Sequence, residues 1–220
     1  EEAAYRKKKD QTVRGYSVNV TETCEEQLNL IVDVQVEPAT TADNSYVKDA
    51  VANSEAVLGG PAQEISADGA YYSEENEAYA KEQEKDIHYT GFPGKPGRYD
   101  YERTDDGVVV IDRESAERQP AEEYKPGRYR FRVDGKWRYI TAKDIEAAAC
   151  RRRTQNLPRE LFNRRCNVEA TIFQLCYHTN GKQLKYRGKF HVQLWATCRA
   201  AWINMRRIAG FQAKQAEAIA

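Results

Sequence analysis

Two runs in which apolar and polar residues alternate constrain the fold of this chain more than any other feature. The runs cover residues 14–20 and 28–37, and a short polar connection separates them. Alternation with a period of two places one apolar face on each strand, so the runs predict an antiparallel pair. The side chains expected to face inward are Tyr16, Val18, Val20, Leu28, Leu30, Val32, Val34 and Val36.

The segments that follow predict alternating helices and strands. Residues 44–57 carry apolar side chains at helical spacing, and residues 73–85 have a helix-like composition. A short β-type run ends at Asp68, and residues 86–91 read as another strand. The order strand, strand, helix, strand, helix, strand predicts an α/β fold with a mixed sheet flanked by helices.

Asp68 has two interpretations at this point. It follows a short strand and precedes Gly69, and ligands in open α/β sheets bind at the carboxyl ends of the strands. Asp-Gly is also the commonest turn dipeptide, so a plain turn is the simpler explanation of this residue alone.

The middle of the chain contains two related β-rich segments. Residues 95–102 (KPGRYDYE) reappear as residues 125–132 (KPGRYRFR). Each copy leads toward an Asp-Gly pair, which begins at Asp106 in the first and at Asp134 in the second. Both segments therefore predict hairpins with Asp-Gly turns.

These hairpins divide the chain into three parts. We expect a first core part at residues 1–92, an inserted β-hairpin subdomain at 93–140 and a helical part at 141–220. Trp137 lies in the insertion, where an aromatic ring can stack on nucleic-acid bases. Burial of the ring in the core of the subdomain is the alternative.

The helical part predicts three helices. The first begins after Thr141, which with Asp144 three residues later has the spacing of an N-terminal cap. The second begins near Pro158, and the third runs from about residue 189 to residue 209. The third helix is expected to carry one apolar face, formed by Leu194, Cys198, Trp202, Met205 and Ile208.

A net charge of zero conceals a strong asymmetry along the chain. Residues 150–220 contain fourteen Lys and Arg against three acids, whereas residues 1–149 contain twenty against thirty-one. A solvated basic face normally has acids interspersed, but no acid lies between Glu169 and Glu217. The asymmetry therefore favours contact with a polyanion, and nucleic acid is the leading candidate.

Other classes of protein receive no support from the composition. The five cysteines contain no C-x-x-C pair and the three histidines are scattered, so we expect reduced thiols and no zinc site. No apolar run approaches the roughly 18 residues of a membrane helix, so we expect no membrane contact and a cytoplasmic location. The chain begins without methionine and reads as part of a longer protein.

Glu169 raises the question of a second acid. Steps of four and three residues connect it to Phe162, Cys166, Phe173 and Cys176, a line that we expect to pack on the sheet. A buried carboxylate is normally neutralised by a cation, and Arg165 at i, i+4 spacing would be a structural partner. Convergence of Glu169 with Asp68 would instead create a pair of carboxylates able to hold divalent metals for phosphoryl transfer.

Taken in order, these segments resemble the DDE transposases of bacterial insertion sequences, which have an RNase H-like core. The resemblance rests on RGYSVNV, LNLIVDVQVEPATTAD, ISADGAYYSEEN and the stretch NVEATIF onward from residue 167. The family pattern Tyr-x2-Arg-x3-Glu-x6-Lys is kept in part, as Phe162, Arg165, Glu169 and Cys176. The resemblance implies cleavage and joining of phosphodiesters at transposon ends and in target duplex DNA, by a homodimer associated with the nucleoid.

The resemblance also implies roles for individual residues. Asp68 and Glu169 would be catalytic and would hold two Mg2+ or Mn2+ ions, one activating the nucleophile and the other stabilising the leaving oxygen. The expected DNA contacts are Arg164, Arg165, Lys182, Lys185, Arg187, Lys189 and Trp137.

One departure from the family concerns its first aspartate. That residue lies on a strand before the GYSVNV hairpin, and neither Asp10 nor Asp33 takes its place. We therefore expect the first core strand to be missing from these 220 residues, which alone would not cleave DNA. Two alternatives remain: a catalytically incomplete remnant that binds DNA or assembles with other proteins, and another RNase H-like nuclease such as a junction resolvase, which would not explain the insertion.

Overall fold

The structure is a computed structural model that describes residues 4–8, 11–25, 27–91, 96–177, 179 and 184–219. Within these ranges the chain forms a mixed α/β fold with three separate sheets. The predicted α/β class is confirmed. No helix in the described ranges is long and apolar enough to cross a membrane.

The first sheet contains three antiparallel strands in the order β1, β2, β3. These strands are β1 (Ala4–Lys8), β2 (Gln11–Glu22) and β3 (Ile31–Pro38). The predicted antiparallel pair is β2 with β3, whereas β1 was not predicted.

The pairing of β2 with β3 shifts register near the end of β2. Val34 lies opposite Val20, but Ile31 rather than Val32 lies opposite Glu22. Ile31 therefore takes the inward position that strict alternation assigned to Val32, and it is 7% exposed. The bulge changes which residues enter the core, because a shift of one residue reverses the face of a strand.

The second sheet pairs β4 with β5 in parallel. The elements of this region are α1 (Val47–Leu58), β4 (Glu64–Ala67), α2 (Glu74–Glu82) and β5 (Asp86–Tyr89). The Ser73 side chain caps α2 by accepting a hydrogen bond from the Asn76 N–H at 3.1 Å. Val47, Val51, Ala80 and Ile87 form one core between the helices and this sheet.

The third sheet is a five-stranded antiparallel meander. Its strands are β6 (Tyr99–Thr104), β7 (Gly107–Asp112), β8 (Arg118–Lys125), β9 (Arg128–Val133) and β10 (Lys136–Thr141). The two predicted hairpins are its two ends, and β8 joins them. Asp134 and Gly135 both have positive φ, 51° and 74°, as the tight turn between β9 and β10 requires.

The first hairpin turns one residue earlier than predicted. Thr104 pairs with Gly107, so Asp105 and Asp106 make the turn and Gly107 opens β7 at φ 131°. Glycine suits this position because L side chains rarely adopt such a backbone conformation.

The last part of the chain forms three helices, α3 (Ala142–Gln155), α4 (Arg159–Cys176) and α5 (Lys189–Ile219). The predicted cap of α3 is present: the Asp144 carboxylate accepts hydrogen bonds from the Thr141 N–H and hydroxyl, each at 2.8 Å. Ile145 packs with Val110 and Phe131 in the core of the meander. α3 also supplies Cys150 to the core around β5.

α5 presents a different face to the sheet than the sequence predicts. Its buried residues are Val192, Ala196, Ala200 and Ile203. Small side chains here let the helix approach β2 and β3 closely, and Ala196 is fully buried. The bulky residues expected to form the packed face are exposed instead, namely Leu194, Cys198, Trp202, Met205 and Ile208.

A buried ionic cluster joins β2, α4 and α5. The Glu22 carboxylate, 1% exposed, accepts hydrogen bonds from the Thr171 hydroxyl at 2.6 Å and from the Arg207 guanidinium at 3.0 Å. Arg207 also donates to the Thr171 hydroxyl oxygen and to the Asn29 carbonyl. Three elements far apart in sequence are thereby held at one point.

Replacement of Arg207 by methionine should destabilise the fold by about 3–5 kcal/mol, since it leaves the Glu22 carboxylate buried without its cation. Urea unfolding followed by circular dichroism measures the change. Lys48→Met is the matched control, because it breaks the exposed Lys48–Glu75 pair and should cost below about 1 kcal/mol. Equal losses in the two variants would contradict the assigned importance of the cluster.

Candidate functional site

Asp68 directly follows β4 and begins a single turn of 3-10 helix, Gly69–Tyr71. Its carboxylate accepts a long hydrogen bond from the Ala70 N–H at 3.4 Å, and its carbonyl accepts from the Tyr71 N–H at 3.0 Å. Both interpretations of the Asp-Gly pair therefore hold: the residue makes a turn, and it stands at the carboxyl end of a strand in a parallel pair.

The turn places Tyr71 against the polar face of β2. The Tyr71 hydroxyl donates to the Asn19 side-chain oxygen at 2.6 Å, and Asn19 is buried. Burial raises the pKa of Tyr71 to about 12, and the nearby charges of Asp43 and Asp68 add to the shift. Tyr71 therefore stays protonated at neutral pH and ties the Asp68 turn to the central strand of the first sheet.

Glu169 lies on the outward face of α4. Among the described side chains of this helix, Thr171 and Leu175 are buried, whereas Phe162 is 45% and Phe173 is 68% exposed. The side chain of Cys166, also predicted for this line, lies outside the described part of the chain. The expectation that the line through Glu169 packs on the sheet is therefore wrong. Thr171 faces inward, because its hydroxyl bonds the Glu22 carboxylate. Side chains two positions apart in a helix point in directions that differ by about 200°, so Glu169 faces solvent.

The α4 helix, which carries Glu169, packs against β2 and against β4, the strand that ends one residue before Asp68. The carboxylate oxygens of both acids are the hard donors that Mg2+ and Mn2+ prefer. Among the described residues, however, no three His, Cys, Asp or Glu side chains come together as a metal site. The donor chemistry fits a divalent metal, and the donor set is incomplete.

Much of the positive charge of the C-terminal third is neutralised within the chain. Five of its described basic residues form ion pairs with acids in residues 1–149. The pairs are Arg152–Asp100, Arg153–Glu77, Arg164–Glu64, Lys189–Glu37 and Arg207–Glu22. The charge asymmetry therefore reflects, in part, contact between the two halves of the fold, which the sequence analysis did not consider.

The basic residues predicted to contact DNA fall into three groups. Arg164 and Lys189 are ion-paired, at 2.7 Å and 2.9 Å respectively. Lys185 and Arg187 are exposed and form no ion pair with any other described residue. Lys182 and the side chain of Arg165 lie outside the described part of the chain.

Trp137 lies on the solvent side of the meander with 45% of its surface exposed. The Arg130 guanidinium sits 4.5 Å from the centre of its ring, and Tyr139 nearby is 61% exposed. Arg130 and Tyr139 were not predicted to belong to this surface. The alternation of arginines with Tyr and Phe in residues 128–133 could have indicated that the arginines face solvent on the side opposite the buried rings.

A polar cleft of about 560 Å³ between α2 and α3 lies away from these residues. Its lining includes Tyr72, Lys81 and Glu146, and the Glu77–Arg153 ion pair borders it. Neither Asp68 nor Glu169 belongs to the lining, so this cleft does not mark the acidic site.

Comparison with known proteins identifies a family. The family model of the transposase DDE domain matches residues 1–205. Neither the curated proteins nor the solved structures give a match to the chain. The matched range contains Asp68, Glu169, all five strands of the meander and most of α5.

Removal of Arg164 should raise the pKa of the Glu64 carboxyl, which the hydrogen bond and charge of Arg164 hold below its ordinary value. Because the folded pKa is lowered, the pair stabilises the fold above the ordinary carboxyl pKa and loses this effect as pH falls through the folded value. Carbon-detected NMR titration of Glu64 in Arg164→Gln measures the rise. Arg159→Gln, exposed on the same helix, should leave the titration unchanged; an unaltered Glu64 in both variants would contradict the pairing.

Proposed function

The chain belongs to the transposase DDE domain family, and on that basis we propose that it carries two of the three acids of a DNA transposase active site. Asp68 and Glu169 are the two acids. The observation that carries the proposal is their placement: one carboxylate follows a parallel strand, and the other is exposed on the helix that packs beside that strand. The substrate is the phosphodiester at a transposon end and then that of the target duplex.

The third acid would come from a strand that continues β1. In the described residues β1 pairs only with residues 11–15 of β2, whereas residues 16–22 pair with β3. One edge of this second stretch of β2 therefore remains without a strand from the described part of the chain. A strand in line with β1 would pair there, opposite β3, and could bring the first aspartate close to Asn19 and the Asp68 turn.

The residues of the chain have defined tasks in this proposal. The Ala70 N–H and the Tyr71–Asn19 hydrogen bond fix the turn that presents the Asp68 carboxylate. The inward Thr171 fixes the rotation of α4 and so directs Glu169 to the solvent side, where duplex DNA would lie. Mg2+ or Mn2+ ions held by these two carboxylates and the first aspartate would supply Lewis acids for the attacking and leaving oxygens.

DNA contacts in this proposal come first from cations that have no partner in the described fold. Lys185 and Arg187, in the segment before α5, meet this condition. Arg164 and Lys189 would have to exchange carboxylates of the chain for phosphates. The exposed Trp137 ring, with Arg130 beside it, is suited to stacking on a base. A DNA substrate places the protein at the nucleoid, and we propose that it acts there as a homodimer.

A second candidate is a transposase remnant that binds DNA without cleaving it. The two candidates share the fold and the DNA surface, and they differ in chemistry alone. A cleavage assay therefore separates them.

Asp68→Asn and Glu169→Gln should each abolish cleavage of duplex DNA by a longer chain that includes the additional strand, because both remove metal ligands. Nicking of a labelled duplex in Mg2+ or Mn2+ is the measurement, and residues 1–220 alone should show none. Asp86→Asn, exposed at the start of β5, is the matched control and should keep full activity. Cleavage that survives either site variant would refute the assignment, while a longer chain that binds but never cuts would support the remnant.

DNA binding by residues 1–220 should weaken with salt, and Lys185→Ala and Arg187→Ala should each reduce the log–log salt slope by about one unit. Trp137→Leu should lower affinity at every salt concentration and leave the slope unchanged, since a neutral ring releases no counterions. Lys48→Ala, in the acidic half, is the control and should alter neither quantity. Fluorescence anisotropy of a labelled duplex at several salt concentrations gives both values, and binding that ignores salt would exclude this DNA surface.

A further inference from the structure

The outward face of α5 carries a regular seam of uncharged residues. They follow one another at alternating spacings of four and three, the pattern with which one helix packs along another. The seam consists of Leu194, Cys198, Ala201, Met205, Ile208, Gln212, Gln215 and Ile219. Of these, Leu194 is 51%, Met205 is 63% and Ile219 is 87% exposed.

The opposite face of the same helix is attached to the first sheet. Ala196 and Ile203 are buried there. The Gln193 side chain donates to the Val34 carbonyl at 2.8 Å, and the Asn204 amide bonds both the N–H and the carbonyl of Ile31. These bonds fix the rotation of α5, so the seam has to face away from the body of the chain.

The positions that flank the seam carry no charge. They include Thr197, Trp202, Ala209, Phe211 and Ala216. Along the seam, from residue 194 onward, the cations of this helix lie further round, at Arg199, Arg206, Arg207 and Lys214. A seam without like charges beside it can face an identical seam, because flanking charges are what set partner choice in paired helices.

The last part of α5 extends beyond the packed region. From residue 208 to residue 219 every residue is exposed except the half-buried Phe211. A free helical segment of this length is marginal in water, and packing of an apolar stripe normally stabilises it. The seam runs through this segment, so a second helix along the seam would supply packing that the described residues do not.

We propose that a second copy of this chain packs its α5 seam antiparallel against the first, and this interface adds to the homodimer of the proposed function and rests on it. In that arrangement Met205 lies opposite the partner's Ile208, and Leu194 opposite the partner's Ile219. Gln212 and Gln215 meet the smaller Ala201 and Cys198. Each extended end then lies against the half of the partner helix that its own sheet supports.

Sedimentation equilibrium of residues 1–220, without DNA or metal, tests the interface. The chain should form a concentration-dependent dimer, and Met205→Glu should raise its dissociation constant at least about tenfold, because a charge enters the centre of the seam. Arg206→Glu is the matched control, since it places the same acid at the next exposed position, off the seam, and should leave the constant unchanged within about twofold. Circular dichroism should show the same helix content in both.

The direction of the pairing is tested by oxidation in a Cys24→Ser background, which removes a second exposed thiol. Gln215→Cys should then form a disulfide-linked dimer through Cys198, and an added Cys198→Ser should prevent it. A disulfide between two copies of Cys198 without the new cysteine would overturn the antiparallel pairing.

A monomer at all concentrations, or equal effects of Met205→Glu and Arg206→Glu, would overturn the interface. The interface would also be overturned if the protein is a monomer and Met205→Glu loses binding to duplex DNA, because the seam would then be a DNA-binding surface. None of these outcomes touches the cleavage assay, so failure of the interface and failure of the catalytic proposal are distinguishable.

Discussion

The buried Glu22–Thr171–Arg207 cluster sets the orientation of the helices on which both proposals depend. Glu22 is 1% exposed on the central strand of the first sheet, and its two partners come from α4 and α5. Because a buried carboxylate requires its cation, the position of Arg207 relative to β2 is tightly constrained. Thr171 turns one face of α4 inward, which leaves Glu169 exposed two residues earlier. The same contact holds α5 against the sheet and leaves its seam outside.

Ion pairs between the two halves of the chain account for part of its charge asymmetry. Acids from β2, β3, β4, α2 and β6 meet cations from α3, α4 and α5. Most of these pairs are partly exposed, and such pairs contribute little stability individually. These pairs matter more for DNA binding than for stability, because Arg164 and Lys189 already have carboxylate partners within the chain. The basic surface left for a polyanion is therefore smaller than the count of fourteen Lys and Arg implies.

The first two sheets remain separate in the described residues, and this separation bears on the active site. β2 has a partner on one side along residues 16–22, and β4 pairs only with β5. Asp68 stands at the end of β4, and Tyr71 connects its turn to Asn19 on β2 by a single hydrogen bond. A strand added along β2 would bring its own side chains close to that hydrogen bond. The same added strand would then complete the sheet and bring the third acid to the proposed active site.

Most of the helices and strands, though not β1, could be predicted from the sequence, as could the position of Asp68 after a strand and the family. These features depend on neighbouring residues: alternation predicts strands, Thr141 with Asp144 predicts a cap, and Asp134-Gly135 predicts a turn. Only the tertiary structure decided which faces are buried. The bulge at Glu22 brings Ile31 into the core in place of Val32, and the alanines of α5 face the sheet in place of its bulky residues. Periodicity shows that a helix has distinct faces, but the contacts of distant residues such as Glu22 and Arg207 determine which face turns inward.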